Sequence, residues 1–313
     1  MNIDSKILVL GSTGMVGSAI VRKLQNDGYN NLLTPNEYKL DLTYPSSVKY
    51  YFKDNTPEYV FVASGLVGGI HANNEYPVEF FHANMMMAIN ILHYSMINNV
   101  TKLIYLGSSC IYPKQCEQPM VEDYLLNGHL ESTNEMYALA KISGLKLCQS
   151  YNREYNTNFI GAIPCSQYGI NDNLDLEKCH FIPAIMQRLH WAKANNLPTV
   201  EIWGTGEPLR EFMYVDDLAD SCIFLMQNYN ISDIINIGVG NDYKISDISN
   251  MIKNIVGYEG ELVYNTSKPD GTYQKLLNTT KLSNLGWKYK IKLIDGLKLM
   301  YDWYTQSLME SGV

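Results

Sequence analysis

The chain has 313 residues, an apolar content of 46% and a formal net charge of −8. This acidic balance argues against a nucleic-acid or anionic-membrane partner, and no apolar run approaches the roughly eighteen residues that a membrane span requires. The N-terminal run ILVL is too short for a signal-peptide core, and the cysteines show no paired spacing. We therefore expect reduced thiols, no metal site and a cytoplasmic location.

The first part of the chain alternates short apolar runs with longer amphipathic ones. Strands that are apolar on both faces and alternate with helices indicate a parallel sheet covered on both sides. Because crossovers between such strands are right-handed, the predicted fold class is α/β, a Rossmann-like doubly wound parallel sheet. Predicted strands cover residues 6–10, 32–34, 59–63, 102–107 and 158–164, and predicted helices cover 16–27, 46–54, 77–98 and 137–156.

The pattern loosens after residue 169, where a polar connector spans 171–178. We expect two domains: residues 1–169 would bind a dinucleotide, and residues 170–313 would form most of a smaller substrate-binding lobe, with some elements returning to the main sheet. The remaining predicted helices cover 181–194, 215–227, 246–256 and 293–307, and the remaining predicted strands lie at 200–202 and 234–237.

A glycine-rich segment, GSTGMVGSAI, joins the first predicted strand to the first predicted helix. Glycines at 11, 14 and 17 allow a tight turn, bring backbone amides against a diphosphate and let the helix pack close to the strand. A turn without a ligand is the alternative, but the strand–helix context favours a dinucleotide. The predicted contacts in this loop are Gly11, Ser12, Thr13, Gly14, Met15 and Val16.

The second predicted strand ends without the acidic residue that usually holds the ribose of NAD. The segment LTPN at 33–36 has no carboxylate before Glu37, which removes the repulsion against a 2′-phosphate and favours NADP(H). No arginine that would clamp that phosphate is present there. Asp41 and Leu42 are predicted adenine contacts, although an ordinary exposed loop acid would look the same.

A serine, a tyrosine and a lysine follow the glycine loop in a suggestive order. Ser108 lies at the end of the fourth predicted strand, and Tyr137 and Lys141 lie four positions apart on the next helix, hence on one face. A nearby ammonium favours the phenolate and makes the tyrosine proton exchangeable, so Tyr137 could protonate a carbonyl oxygen that Ser108 holds. Order and spacing together indicate a short-chain dehydrogenase/reductase.

The chain resembles one family in particular, the GDP-L-fucose synthases, extended short-chain reductases that act on GDP-4-keto-6-deoxy-D-mannose. The resemblance runs almost end to end, and GSSCIYPK with PLREF is its most selective part. The matching segments are GMVGSAI, VGGIHAN, LGSSCIYPK, QPM, TNEMYALAKISGLKLCQSYNREY, HFIPA, WGTGEPLREFMYVDDLA, INIGVG and KPDGTYQKLLN.

The resemblance implies a reductase triad of Ser108, Tyr137 and Lys141, and an acid/base pair of Cys110 and His180 that epimerises C3 and C5 before reduction at C4. The 4-keto group acidifies the protons on both neighbouring carbons, and a thiol and an imidazole titrate near neutral pH. A small buried cysteine and a helix-capping histidine are the alternatives from the residues alone.

The resemblance also implies a pocket for a GDP-linked 4-keto-6-deoxy sugar. Arg188 and Arg210 are the expected diphosphate contacts, because guanidinium groups match phosphate oxygens in two-point geometry; a solvated helix face is the alternative for Arg188. Ser109, Trp203 and Lys275 are further expected substrate contacts. Relatives pair through helices that correspond to 77–98 and 137–156, so a homodimer is expected.

The chain departs from the family around the expected sugar and cofactor. PCSQYGI at 164–170 replaces the usual Pro-Thr-Asn-Leu-Tyr-Gly-Pro, and this segment, beginning with Pro164, should lie beside the nicotinamide and the sugar. Leu66 stands where several bacterial relatives have lysine, Ser12-Thr13 where they have His-Arg, and Pro35 where they have an arginine that could hold the 2′-phosphate.

Three hypotheses remain open from the sequence. The leading one is an NADPH-dependent 3,5-epimerase/4-reductase of a GDP-4-keto-6-deoxy sugar, which makes an activated deoxysugar for surface glycans. The alternative is an enzyme that only reduces C4, acting on a related sugar such as a GDP-4-keto-6-deoxy-heptose. A non-catalytic NADP-sensing protein is the third, and the proton relay of Ser108, Tyr137 and Lys141 argues against it.

Overall fold

The computed structural model describes residues 1–176, 179–268 and 270–311. Its strands are β1 (Ile7–Leu10), β2 (Leu32–Leu33), β3 (Tyr59–Val62), β4 (Lys102–Leu106), β5 (Phe159–Pro164), β6 (Ser166–Tyr168), β7 (Thr199–Trp203), β8 (Leu209–Arg210), β9 (Phe212–Tyr214), β10 (Ile235–Ile237), β11 (Tyr243–Lys244), β12 (Glu261–Asn265) and β13 (Gln274–Lys275). Its α-helices are α1 (Met15–Asn26), α2 (Pro45–Asn55), α3 (Ile70–Glu75), α4 (Pro77–Ile97), α5 (Glu135–Tyr155), α6 (Phe181–Ala194), α7 (Val215–Asn228), α8 (Ile245–Val256), α9 (Thr280–Asn284) and α10 (Leu293–Ser311).

A six-stranded parallel sheet organises the fold, with the order β10-β5-β4-β3-β1-β2. The strand order changes direction between β1 and β3, and β1, β4 and β5 are buried along their whole length. Continuous apolar strands of this kind need helices on both faces. The predicted fold class, an α/β Rossmann-like doubly wound sheet, is confirmed.

Helices cover the two faces of the sheet in distinct groups. α1 packs against α7, whereas α4 lies between α2 and α5. Right-handed crossovers put α1 on one face and α2, α4 and α5 on the other, because the chain reverses direction along the sheet after β2. Of the helices that the structure describes, none is long and apolar enough to cross a membrane.

The chain beyond residue 170 contributes to both apolar cores. β10 pairs with β5 in the main sheet, and α7 packs against α1. A second core forms where α6 packs on α8 and α8 on α10, and it includes Leu189, Ile252 and Leu297. The expected division into two domains stays a prediction, since the elements of the second half are shared between the two cores.

Short elements are the ones that the sequence did not predict. The eight longer helices begin and end close to the predicted positions, although α10 extends to Ser311. α3, α9 and the strands β6, β8, β9, β11, β12 and β13 were not expected. β8, β11 and β13 span two residues each, which is too short for any alternation of apolar and polar side chains to be visible.

Tight packing between α1 and the loop before it generates the first prediction. A Cβ atom at Gly17 would overlap the backbone of Gly11, whereas one at Gly14 would lie 3.6 Å from the same carbonyl oxygen. Gly17→Ala should therefore lower the free energy of unfolding by about 1–3 kcal/mol, the usual cost of overpacking. Gly14→Ala is the matched control, and equal urea midpoints for the two variants would contradict this packing.

Candidate active site

The loop between β1 and α1 has the shape of a diphosphate cradle. Gly11 has a φ of 78°, and a Cβ atom there would lie 2.8 Å from the carbonyl oxygen of Ala63, so the loop approaches the end of β3 closely. Gly14 caps α1 without a side chain, and no acidic residue lies in the first turn. Free amides and the positive end of the helix dipole therefore face the loop, and they fit a dinucleotide diphosphate.

The adenosine end of the expected cofactor site is held by local contacts. The hydroxyl of Ser12 donates to the carbonyl oxygen of Pro35 at 3.5 Å, which ties the glycine loop to the end of β2. Asp41 accepts hydrogen bonds from the side chain and backbone N–H of Thr43, and these bonds lower its pKa. The carbonyl of Leu42 accepts from Asn90 at 3.0 Å. The adenine contacts of Asp41 and Leu42 stay predictions.

Ser108, Tyr137 and Lys141 lie together where β4 ends beneath α5. The Ser108 hydroxyl caps the 3₁₀ turn Ser109–Ile111, where it accepts the backbone N–H of Cys110 at 3.4 Å, and its proximity to the Tyr137 phenol acts to lower the pKa of that phenol. The ammonium of Lys141 donates to the carbonyl of Leu106 at 3.0 Å and lies 5.9 Å from the centroid of the Tyr137 ring. The three residues form one contiguous group.

Burial sets the charge states of this group. Burial lowers the pKa of Lys141 to about 8 and raises the pKa of Tyr137 well above its usual value near 10. The sequence suggested that a nearby ammonium would favour the phenolate; instead, desolvation dominates. Tyr137 is therefore a neutral phenol at neutral pH, which is the form that donates a proton.

The sequence did not indicate that Tyr105 and Gly144 support Lys141. The ring of Tyr105 lies with its centroid 5.2 Å from the Lys141 ammonium, and Gly144 leaves room for that ring beneath α5, since a Cβ atom there would overlap it. The carboxamide of Asn84 bonds both the N–H and the carbonyl of Leu66, at 3.1 and 3.0 Å. An aromatic residue inside a buried strand looks like any other core residue, so no sequence signal distinguished Tyr105.

Cys110 adjoins the same group. Burial raises the pKa of its thiol, and Lys275, a hydrogen bond with Ser108 and the charge of Lys141 oppose that rise. A small pocket brings Cys110 together with the predicted substrate residues Ser109 and Lys275. The other residues that line it are Tyr112, Pro113, Lys114, Met120, Glu131, Thr272 and Gln274.

His180 is the N-cap residue of α6, but its side chain makes no capping hydrogen bond. The residue is exposed, and the protein atoms around the imidazole lower its pKa by desolvation. Among the described contacts, none joins the side chain of His180 to Cys110. Their pairing across a substrate stays a proposal.

Arg188 and Trp203 form a separate cluster outside the pocket. The guanidinium carbon of Arg188 lies 5.8 Å from the Trp203 ring centroid, and the ammonium of Lys268 lies 5.1 Å from it. Trp203 is 56% exposed, so part of its aromatic surface is open to a ligand. A half-exposed aromatic ring beside two cations suits a nucleotide, whose base stacks and whose phosphates are anionic.

Arg210 lies opposite Lys275 in the register of β8 and β13. Its guanidinium donates to the carbonyls of Leu209 and Tyr273, at 2.8 and 3.3 Å, and burial lowers its pKa. Neither strand was predicted, so the sequence could not place these two cations side by side. The structure does so through strand pairing between distant segments.

Glu211, the next residue, was also missed. It is 1% exposed, and its carboxylate accepts backbone N–H groups from Val239, Gly240 and Leu277 at 2.6, 2.7 and 2.9 Å. Burial raises its pKa to about 7 against the effect of these bonds. Gly238 leaves the space for the carboxylate, because a Cβ atom there would overlap it. Glu211 thus fastens β13 and the loop after β10 to the Arg210 segment.

The segment that departs from the family occupies a constrained position. Pro164 ends β5, and the N–H of buried Cys165 donates to the carbonyl of Ile237 at 2.9 Å. The Gln167 amide donates to the Cys165 carbonyl at 2.7 Å, within a strand that pairs with β9 next to Glu211. Among the described residues, no group of three or more His, Cys, Asp or Glu side chains could hold a metal ion.

Comparison with known proteins identifies the family of this chain. Residues 7–238 match the model of the NAD dependent epimerase/dehydratase family. The chain is 48% identical to a putative GDP-L-fucose synthase of Arabidopsis thaliana over 98% of this chain and 94% of that protein.

Solved structures agree as well. A GDP-6-OMe-4-keto-L-xylo-heptose reductase from Campylobacter jejuni superposes with a TM-score of 0.94 at 39% identity, covering 98% of this chain and 99% of that one. A GDP-mannoheptose C4 reductase from the same organism, with NADP bound, superposes with a TM-score of 0.91 at 40% identity over 97% and 99% of the two chains. The chain thus belongs to the NAD dependent epimerase/dehydratase family and, within its extended short-chain reductases, to the NADP-dependent GDP-L-fucose synthase group.

Proposed function

We propose that this protein epimerises C3 and C5 of a GDP-4-keto-6-deoxy sugar and then reduces its C4 ketone, so that it makes an activated deoxysugar for surface glycans. The observation that carries the proposal is the position of Ser108, whose hydroxyl accepts the backbone N–H of Cys110 at 3.4 Å and lowers the pKa of both the Tyr137 phenol and the Cys110 thiol against the effect of burial. A reductase group and a second acid/base group therefore meet at one point, as two reactions on neighbouring carbons require.

The cofactor site fits NADPH. The loop of Gly11, Ser12, Thr13 and Gly14, with Met15 and Val16 opening α1, would hold the diphosphate, and Tyr137 and Lys141 would contact the nicotinamide ribose beside Pro164. When bound, NADPH supplies the hydride that reduces the ketone carbon. The absence of a carboxylate between Leu33 and Asn36 supports a 2′-phosphate over a free 2′-hydroxyl.

Tyr137 and Ser108 would handle the oxygen in the reduction step. The neutral phenol of Tyr137 donates its proton to the C4 oxygen as negative charge develops there, and the Ser108 hydroxyl holds that oxygen. Lys141, still able to carry a charge because the pKa is about 8, favours loss of the phenolic proton at that moment. Buried surroundings strengthen each of these interactions.

Cys110 and His180 would exchange carbon-bound protons before the reduction. A Cys110 thiolate removes a proton from C3 or C5, the electron pair moves toward the C4 oxygen, and an acid on the opposite face returns a proton to the carbon. Supporting this division, Cys110 lies in the enclosed pocket with Lys275, whereas His180 stands at the start of α6, where Arg188 also lies.

The GDP moiety would bind between the two cationic clusters. Arg188 and Arg210 would contact the diphosphate, Trp203 would contribute stacking surface, and Ser109 and Lys275 would lie nearer the sugar. These cations provide the local positive charge that an anionic substrate needs on a chain with a net charge of −8.

A second candidate function is C4 reduction alone, on a GDP-linked heptose. It is favoured by the altered segment at 164–170 and by the likeness to two heptose reductases from Campylobacter jejuni. An NADP-sensing protein is a weaker alternative, because a sensor has no need for the bonded group of Ser108, Tyr137 and Lys141.

All six cysteines are unpaired, which supports a reducing, cytoplasmic location.

The outer face of α4 supports a homodimer. Its sequence carries one carboxylate, Glu79, and no lysine or arginine, and Ile89 is 41% exposed on the side away from the core. A helix that is apolar nearly all round is normally covered, and α5 beside it presents half-buried Leu139 and Ser143. A second copy of this chain, packed through α4 and α5, would cover this surface.

Ile89→Arg should therefore convert the dimer to a monomer, because a guanidinium group would be buried without a partner. Light scattering coupled to size-exclusion chromatography measures the mass directly. Ile231→Arg, at a 58% exposed apolar residue elsewhere on the surface, should leave the dimer intact. Wild-type protein that elutes as a monomer would refute the proposed pairing.

Tyr137→Phe should lower the turnover of NADPH-dependent reduction by about 10²–10⁴-fold, the usual contribution of a general acid. Steady-state assays with a GDP-4-keto sugar measure the rate, and fluorescence titration should show NADPH affinity within a few-fold of wild type. Tyr155→Phe, on the exposed end of the same helix, is the matched control. Near-normal turnover by Tyr137→Phe would exclude it as the acid.

Epimerisation is tested by deuterium exchange in heavy water, with oxidised cofactor and no reductant. NMR should show wild type exchanging deuterium into both C3 and C5, whereas Cys110→Ser and His180→Asn should lose most of that exchange. For Cys110→Ser the reason is that a serine hydroxyl is a far poorer base than a thiol near neutral pH. Cys110→Ser should still oxidise NADPH, and Cys116→Ser is the control thiol. Reduction at C4 by a wild type that exchanges neither carbon would favour the second candidate function.

A further inference from the structure

We propose that Lys275 is a positioning residue that acts through Cys110, in that its ammonium stabilises the thiolate which moves carbon-bound protons. This inference rests on the acid/base role proposed above for Cys110. It gives Lys275 a purpose beyond that of one more cation for the nucleotide phosphates.

The two groups share an enclosed pocket. Cys110, in the 3₁₀ turn after β4, and Lys275, on β13, line the same small cavity together with Ser109, Glu131 and Gln274. Unlike charges in such a space attract one another more strongly than they do in water. Arg188 and Lys268, by contrast, lie against Trp203, outside this cavity.

The charges around the thiol single out Lys275. Burial raises the pKa of Cys110, and the charge of Lys275 is the strongest opposing influence, ahead of the hydrogen bond with Ser108 and the charge of Lys141. The influence is mutual, because burial lowers the pKa of Lys275 and Cys110 is the strongest group that raises it. Lys141 already donates to the carbonyl of Leu106 and lies beside the Tyr137 ring, so Lys275 is the cation left for the thiolate.

The remaining neighbours tune Lys275 itself. Arg210, across the β8–β13 pairing, lowers its pKa by repulsion, whereas Glu131 raises it by attraction. The Glu131 carboxylate is also paired with Lys114 at 3.0 Å, which spreads its charge between two lysines. Lys275 therefore does not form a dedicated ion pair with Glu131, and its charge is available to the thiol.

Hydrogen bonds fix the backbone at Lys275 and in the two residues that follow it. Its carbonyl accepts the N–H of Glu211 at 3.3 Å, and the next two residues, Leu276 and Leu277, donate to the side chains of Gln118 and Glu211, both at 2.9 Å. The Cα position of Lys275 is thus held by three separate bonds. A fixed base lets a flexible lysine side chain keep its ammonium at one place in the pocket.

The direct test is the alkylation rate of Cys110 by iodoacetamide as a function of pH, measured on the full chain without substrate by peptide mass spectrometry. Lys275→Met should reduce the rate at pH 7.5 by about tenfold, equivalent to one unit of thiol pKa, and the profile should shift to higher pH. Lys275→Arg keeps the charge and should keep the wild-type profile. Lys244→Met, at an exposed lysine paired with Glu207, is the control.

An unchanged Cys110 profile in Lys275→Met would overturn the proposal. Cys116 and Cys179 are internal references, and their rates should not change with Lys275. If Lys275→Met does not fold, as judged by circular dichroism, Lys275→Gln carries the same test.

Deuterium exchange separates this proposal from the function on which it rests. Lys275→Met should lose exchange at neutral pH and regain it as the pH rises, even at a saturating concentration of the sugar nucleotide. A raised KM with an unshifted pH profile would make Lys275 a phosphate contact and overturn the proposal. If wild type exchanges no deuterium, the proposed epimerase function is wrong, and the Cys110–Lys275 pair has no role in it. The alkylation profiles would still show whether Lys275 stabilises the Cys110 thiolate.

Discussion

The hydrogen bond from the Lys141 ammonium to the carbonyl of Leu106 joins the catalytic helix to the central sheet. It places a cation at the carboxyl end of β4, where the next residues turn into the segment that carries Ser108 and Cys110. Lys141 is 4% exposed and its ammonium rests against the ring of Tyr105, so the charge lies in a largely buried setting. The geometry of the whole candidate site depends on this one anchored side chain.

Burial governs the chemistry as much as proximity does. The same desolvation that lowers the pKa of Lys141 raises those of Tyr137 and Cys110. Such a pocket keeps the Tyr137 phenol protonated and disfavours ionisation of the Cys110 thiol, so the thiolate needs a cation beside it. Lys275, from a distant part of the chain, provides that cation for Cys110, and Lys141 acts on the Tyr137 phenol.

How far the sequence predicted this molecule depends on element length. The apolar runs of β1, β3, β4 and β5 and the long helices have periods that can be read directly, and the glycine loop and the Ser108–Tyr137–Lys141 order followed from them. The resemblance added Cys110 and His180, whose chemistry no pattern alone could establish. Their roles stay predictions.

The pairing of β8 with β13 could not be predicted, because two-residue strands have no period and their partners lie some 65 residues apart along the chain. Arg210 and Lys275 were named as cations, but their adjacency and the buried carboxylate of Glu211 emerge only from tertiary packing. The effect of burial on Tyr137 could not be predicted for a related reason: the spacing to Lys141 indicated only a nearby ammonium that favours the phenolate, whereas the burial that raises the pKa of this phenol is a property of the fold.

The contact between Glu211 and Gly238 has a consequence for how this sequence can evolve. Because a side chain at 238 would collide with the carboxylate, a larger residue at position 238 requires the Glu211 side chain to shift or to be replaced by a smaller one. Losing Glu211 would in turn release three backbone N–H groups, so neither single step is neutral. Substitutions at the two sites, 27 positions apart in the chain, are therefore expected to have non-additive effects on stability.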